Sequence, residues 1–337
     1  MDPVTRRCDS HTVALPDVSP PRHNGMQQLD PVIWFFVLGV VAGAARADLR
    51  LPAAIYEFVS TVLLLAIGLK GGVELARDSG GLPLAELGGI LLLGFVLPLP
   101  AFWVARHLGR LERADAASLA AHYGSVSVGT FAVVIGYLAT RGIAFEARAP
   151  VWVVLLEVPA ILAGIVLARG LSGDVAWRHL LRELFLGRSI VLLLGGLAIG
   201  WLAGPQGTES IEPLFFDLFK GILALFLLEM GLIAAAQLPT LRRHGLFIVL
   251  YGIAVPLLFA VAGAGLGRLL DLSLGGTTVL ATLAASASYI AAPAAIRTAV
   301  PEANPALSLT AALAVTFPFN IVIGIPLYER LALALAG

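Results

Sequence analysis

The chain has 337 residues, of which 58% are hydrophobic and 13% charged, with a mean hydropathy of +0.91, whereas soluble domains carry about a quarter charged residues. This composition belongs in a bilayer, and at about 20 apolar residues per crossing the length accommodates roughly ten spans. A formal net charge of zero argues against a nucleic-acid partner, which needs a basic face, and the lone cysteine, Cys8, excludes an internal disulfide framework and a thiolate metal cluster.

Residues 1–28 are rich in Pro and charge and hold no apolar core long enough for a secretory signal, so they read as a disordered polar tail. Nine short polar breaks then bound ten apolar segments, near 30–45, 52–69, 87–105, 116–140, 149–168, 189–203, 213–235, 246–267, 277–296 and 306–328. The first and sixth are short for a crossing, so tilt, breakage or local thinning of the bilayer is expected there. Ten spans leave both termini on one side. Twelve Lys and Arg follow odd-numbered spans, against seven after even-numbered spans and at the C terminus; this bias favours a cytoplasmic central loop and external termini.

The segments repeat in order. Ala66-Ile67-Gly68-Leu69 in span 2 is matched by Glu229-Met230-Gly231-Leu232 in span 7, and Pro98-Leu99 with Gly109-Arg110-Leu111 by Pro256-Leu257 with Gly267-Arg268-Leu269. Gly124-Ser125-Val126-Ser127 in span 4 is matched by Ala285-Ser286-Ala287-Ser288 in span 9, and Glu157-Val158-Pro159-Ala160 by Thr316-Phe317-Pro318-Phe319. Four ordered matches make chance similarity a poor explanation even in so apolar a chain. The expected organisation is a first five-helix repeat over 29–169, a short cytoplasmic linker over 170–188 and a second repeat over 189–337. Five is odd, so the second copy enters the membrane upside down, giving an all-α integral membrane protein with a five-plus-five inverted repeat.

Two stretches of small and hydroxyl residues interrupt otherwise apolar spans: HYGSVSVGT, His122–Thr130, and ASASYIAAP, Ala285–Pro293. Irregular backbone survives at membrane depth only inside protein or beside a wet cavity. Discontinuous helices at spans 4 and 9 would bring exposed helix N-termini, with free N–H groups and positive dipole ends, to one place, which is an anion site. The competing explanation is close helix packing on small residues. Glu157 lies mid-span, where an unpaired carboxylate is costly and needs a partner, a cation or water; the alternative is a protonated, hydrogen-bonded structural acid. Its repeat mate is Thr316, followed by Asn320, and carboxylate, hydroxyl and amide oxygens suit a hard cation such as Na⁺. Lys70 reads as a snorkelling interface residue. Glu229 reads equally as one half of an ion pair or as a transport residue. The histidines show no metal-ligand spacing, and Gly39 with Gly43 and Gly263 with Gly267 read as helix packing.

At these residues the sequence resembles the SbtA-type sodium-dependent bicarbonate transporters. The similarity is strongest over residues 281–328, ATLAASASYIAAPAAIRTAVPEANPALSLTAALAVTFPFNIVIGIPLY, and is looser at GSVSVGT (124–130) and EVPA (157–160). The resemblance implies core and gate domains, a homotrimer in the bacterial inner membrane, and HCO₃⁻ held between spans 4 and 9 beside Na⁺, with no other cofactor. Carried over by position, the anion would contact Gly124, Ser125, Val126, Ser127, Ser286, Ala287 and Ser288, and Na⁺ would draw on Thr130, Glu157, Thr316 and Asn320. Three features depart from the family: Glu157 stands where Asp is common, the central linker is short, and a long polar tail precedes span 1. The short linker bears on regulation by a PII-like partner of the SbtB type. Three other classes remain open at this stage: a carrier of another small anion (a carboxylate, sulfate or chloride), a passive channel, and an intramembrane enzyme. No acid pair, Ser–base pair or intramembrane zinc motif favours the last.

Overall fold

A computed structural model describes residues 30–49, 51–77, 83–170 and 176–336. The expected polar tail (1–28) and part of the linker (171–175) lie outside the described residues. All ten expected segments are helical. They are α1 (Pro31–Ala44), α2 (Ala53–Arg77), α3 (Leu84–Leu108), the pair α4 (Arg113–Gly124) and α5 (Val128–Thr140), then α6 (Ala149–Arg169). After a short α7 (Trp177–Phe185) follow α8 (Arg188–Ile211), α9 (Phe219–Arg242), α10 (Gly245–Leu269), the pair α11 (Leu274–Ala284) and α12 (Ala291–Ala299), and α13 (Pro305–Ala336). Eight of these, counting α4 and α5 as one, are long and apolar enough to cross a bilayer; α1 and α11 are shorter apolar helices.

Local chemistry sets the boundaries. Asp30, Ser127, Ser273 and Asn304 each cap a helix by accepting from a backbone N–H two or three residues on, which satisfies a donor the helix leaves free. Span 6 ends near 203 as expected: within α8, Gly204 adopts φ 63°, leaves helical backbone and turns the chain, and Pro205 opens the further helical stretch that runs to Ile211. Around Pro318, which has no N–H to donate, α13 winds wider, in π-helical turns over Ala311–Thr316 and Asn320–Gly324.

Two helix pairs cross on glycine. A Cβ on Gly39 of α1 would stand 3.0 Å from the Gly231 Cα of α9, and a Cβ on Gly68 of α2 would stand 3.0 Å from the Gly196 Cα of α8. Backbones this close exclude any larger side chain, so Gly39 does serve helix packing. Gly263 likewise packs α10 on α11, with a Cβ there 2.8 Å from the Leu280 carbonyl.

The remaining helices pack as a second group: α4 and α3 on α6, and α10 and α13 on α11. A buried ion pair fastens it. Arg148 Nε donates to both Glu86 oxygens at 2.8 and 2.9 Å, and Trp152 Nε1 donates to Oε1 at 2.7 Å, so the carboxylate that α3 carries into the protein is fully engaged. The linker, read from sequence as a loop, contains α7, whose Leu180 and Leu184 lie one turn apart and bury against Ile161, Ile190 and Ala295. Among the described residues Glu229 forms no ion pair; its Oε2 accepts the Leu51 N–H at 3.0 Å, just before α2 begins. Lys70 lies over the Phe219 ring at 5.9 Å.

Candidate functional site

Spans 4 and 9 are both broken, and the breaks lie against each other. Helix α4 stops at Gly124 and α5 starts at Val128; α11 stops at Ala284 and α12 starts at Ala291. Two hydrogen bonds join the gaps in opposite senses: Ser127 N–H donates to Ser286 Oγ at 2.8 Å, and Ser288 N–H donates to the His122 carbonyl at 2.8 Å. The hydroxyls hold the new helix starts. Ser127 Oγ accepts from both Thr130 N–H (3.0 Å) and Thr130 Oγ1–H (2.9 Å), Ser288 Oγ accepts from Ala292 N–H (3.2 Å), and Ser286 Oγ donates to Leu283 O (2.8 Å). Gly124 is required by space, since a Cβ there would collide with the Pro98 ring of α3 and meet Ala160 Cβ at 3.1 Å.

Of the residues expected to hold the anion, Ser127, Ser286 and Ser288 are thus joined at one buried crossing. Ser125 lies at the C-cap of α4, fully buried, and its hydroxyl has no hydrogen-bond partner among the described residues. Gly124 and Val126 flank it, and Ala287 separates the two serines of span 9.

The residues expected to hold sodium are spread around this crossing and form no hydrogen bonds with one another. Thr130 is committed to Ser127. Thr316 Oγ1 donates to the Gly252 carbonyl at 2.8 Å and accepts from Tyr123 at 2.7 Å. Asn320 Nδ2 donates to Ala285 O at 2.8 Å, at the end of α11, and its Oδ1 accepts from Tyr328 at 2.7 Å. Glu157 is 3% exposed and makes no hydrogen bond or ion pair among the described residues. Its height follows from packing: α4 and α6 run antiparallel with Ala121 against Gly164 and Gly124 against Ala160. Glu157, about one turn back along α6, is therefore level with residues 127–128, at the break itself. An unpartnered carboxylate at that level fits the need for a cation or a proton.

Sequence reasoning missed the opposite wall. A cavity of about 30 Å³ is lined by Val128 and Gly129 at the start of α5, Tyr289 and Ile290 from the span 9 break, Ser60 of α2, Ser189 of α8 and Phe226 of α9. By volume it holds one or two waters. Tyr289 covers Gly129; its hydroxyl makes no well-aligned hydrogen bond but lies close enough to Ser127 and the Gly129 amide to interact with them. Tyr289 sits inside ASASYIAAP, so a signal existed for it. Ser60 and Ser189 lie in plain apolar runs and gave none. Among the described residues no cluster of His, Cys, Asp and Glu could hold a metal by side-chain grouping.

The model of one protein family, the Na⁺-dependent bicarbonate transporter superfamily, matches residues 31–333. The chain belongs to that superfamily. No curated protein matches it. As a member of a transporter family it is not an enzyme, and at family level it is a Na⁺-dependent bicarbonate transporter in a multi-pass helical membrane fold. The match covers both helix breaks and Glu157, so the crossing lies wholly within the shared region.

Proposed function

We propose that this protein is a secondary active symporter that takes up HCO₃⁻ with Na⁺ by alternating access, and that the anion binds where the two broken spans cross. The observation that carries this reading is the pair of reciprocal hydrogen bonds, Ser127 to Ser286 and Ser288 to His122, at breaks whose serines lie 161 residues apart in sequence. Two helix starts, at Val128 and Ala291, then face one region with their positive ends. Bicarbonate is small, planar and rich in oxygen, so converging N–H and O–H donors can replace its hydration shell. Na⁺ drawn to Glu157, with Thr130, Thr316 and Asn320 around it, lowers the cost of burying the anion, and the anion lowers the cost of burying Na⁺. That reciprocity is coupling in the thermodynamic sense.

The inverted repeat accounts for the helix pairing. Span 1 crosses span 7 and span 6 crosses span 2 on matching glycines, the swap that two upside-down copies of one five-helix unit require. On this reading α1, α2, α8 and α9 form the gate and the other spanning helices the core, with the cavity beside Tyr289 between them. The first repeat is 29–169, the linker 170–188 and the second repeat 189–337. The Lys/Arg bias sets the linker on the cytoplasmic side of a bacterial inner membrane; a homotrimer and a PII-like regulator rest on family resemblance. Uptake of labelled bicarbonate into proteoliposomes tests the reading. It requires saturable uptake by the wild type that falls at least about tenfold for Ser127→Ala with Ser286→Ala, and equal uptake by both proteins refutes the site.

A further inference from the structure

The crossing is not symmetric, and the asymmetry involves one side chain that the transport reading leaves unused. By the offset of 161, Ser125 corresponds to Ser286, Ser127 to Ser288 and His122 to Leu283. Ser286 Oγ accepts the Ser127 N–H. The corresponding bond would run from Ser288 N–H to Ser125 Oγ, but that donor goes to the His122 carbonyl instead. Among the described residues Ser125 Oγ is left buried and unpartnered, and so is His122 Nε2, on a ring that is 0% exposed where the other repeat has leucine.

The chemistry of the two orphans is definite. His122 Nδ1 lies 2.7 Å from the Ser118 carbonyl, which can only accept. The proton therefore sits on Nδ1, and a neutral ring presents Nε2 as a bare acceptor. Ser125 is the residue at which α4 ends, in extended backbone, and supplies a donor that can rotate. A bare acceptor can take the proton of a C–O–H group, and a rotatable donor can serve one of its oxygens. Among small monoanions bicarbonate has that group, whereas formate, nitrate and chloride do not. An unsatisfied buried acceptor costs free energy, and a site built to bond a substrate hydroxyl rejects analogues lacking it far more strongly than shape alone can.

We propose that His122 Nε2, with Ser125 Oγ, receives the hydroxyl end of the substrate and makes the carrier selective for hydroxyl-bearing monoanions. This rests on the bicarbonate reading above. The test uses the full-length protein in proteoliposomes, with the KM for labelled bicarbonate and the inhibition constant of formate measured for wild type, His122→Leu and His122→Gln. Leucine removes the acceptor and should raise the bicarbonate KM about tenfold or more, leaving formate inhibition unchanged because formate never used it. Glutamine offers an amide oxygen near the Nε2 position and should recover most of the loss. The assignment is overturned if His122→Leu leaves the bicarbonate KM unaltered, if bicarbonate and formate weaken together, or if glutamine does no better than leucine in protein that unfolds at the wild-type temperature. A wild type with no saturable bicarbonate uptake overturns the carrier reading itself, a result seen before any variant is made.

Discussion

Gly129 is the position where one methyl group tests the site most cleanly. It lies in the first turn of α5, lines the cavity, and is covered by Tyr289; a Cβ there would collide with the Tyr289 hydroxyl and meet the Phe226 ring at 3.0 Å. The free volume is about 30 Å³, so Gly129→Ala fills a large part of it. Overpacking a tight site costs about 1–3 kcal/mol. If that cost falls on the substrate-bound state, the bicarbonate KM rises by about five- to 160-fold. Alanine also gains about 1 kcal/mol of helix propensity over glycine, so thermal stability should hold while transport falls. Tyr289→Phe removes the atom in the way, and the double variant should regain part of the lost affinity; the ring of Phe226 remains. Uptake kinetics on the four proteins form a double-mutant cycle. Additive losses, or wild-type kinetics for Gly129→Ala, would refute the argument that this cavity is on the substrate's route.

Other expectations follow from named contacts. Glu157→Gln keeps the shape of a buried side chain that has no partner among the described residues, so it should leave the unfolding temperature nearly unchanged and abolish the sodium dependence of uptake; persistent sodium activation would contradict the role given to it. Glu86→Gln removes the charge that Arg148 and Trp152 both bond, which should cost up to about 3–5 kcal/mol, read as a lowered unfolding temperature in detergent, and the double change with Arg148→Met should recover much of it. Gly72→Val forces a side chain into the Leu197 carbonyl and the Gly200 Cα across the α2–α8 crossing and should abolish folded protein. Gly88→Ala meets nothing within 4 Å and should be neutral or stabilising by up to about 1 kcal/mol; equal behaviour of these two glycines in a folding assay would sink the close-crossing argument.

Much of this was legible before any coordinates because membrane-spanning helices leave a coarse, robust pattern. The breaks at Ser125–Ser127 and Ser286–Ser288 stood out as hydroxyl-rich islands in apolar spans, and they are where α4 and α11 end. The glycine of Gly68-Leu69 and Gly231-Leu232 read as a repeat match and proved to be a pair of helix crossings. What stayed hidden depended on partners far away in sequence. Glu229 reads equally as an ion-pair or a transport residue, and the contact the structure gives it is with a backbone N–H at Leu51, 178 residues away. Thr316 and Asn320 looked like free oxygen ligands, and both are tied to neighbouring spans through Tyr123 and Ala285. Helix α7 was read as loop because its apolar contacts, Leu180 and Leu184, are too few to give a span and stand among charged residues. His122 had no metal spacing to recommend it; its interest comes from a tautomer and an unmet hydrogen bond, neither of which a sequence encodes.

The central claim is that sodium and bicarbonate cross together through the junction of the two broken spans. It is tested most directly by loading proteoliposomes without sodium, imposing an inward sodium gradient and following labelled bicarbonate. The account predicts transient accumulation above the external concentration, lost when the gradient is collapsed and lost in Glu157→Gln. Uptake that is the same with and without the gradient, and rises linearly with bicarbonate, would contradict it.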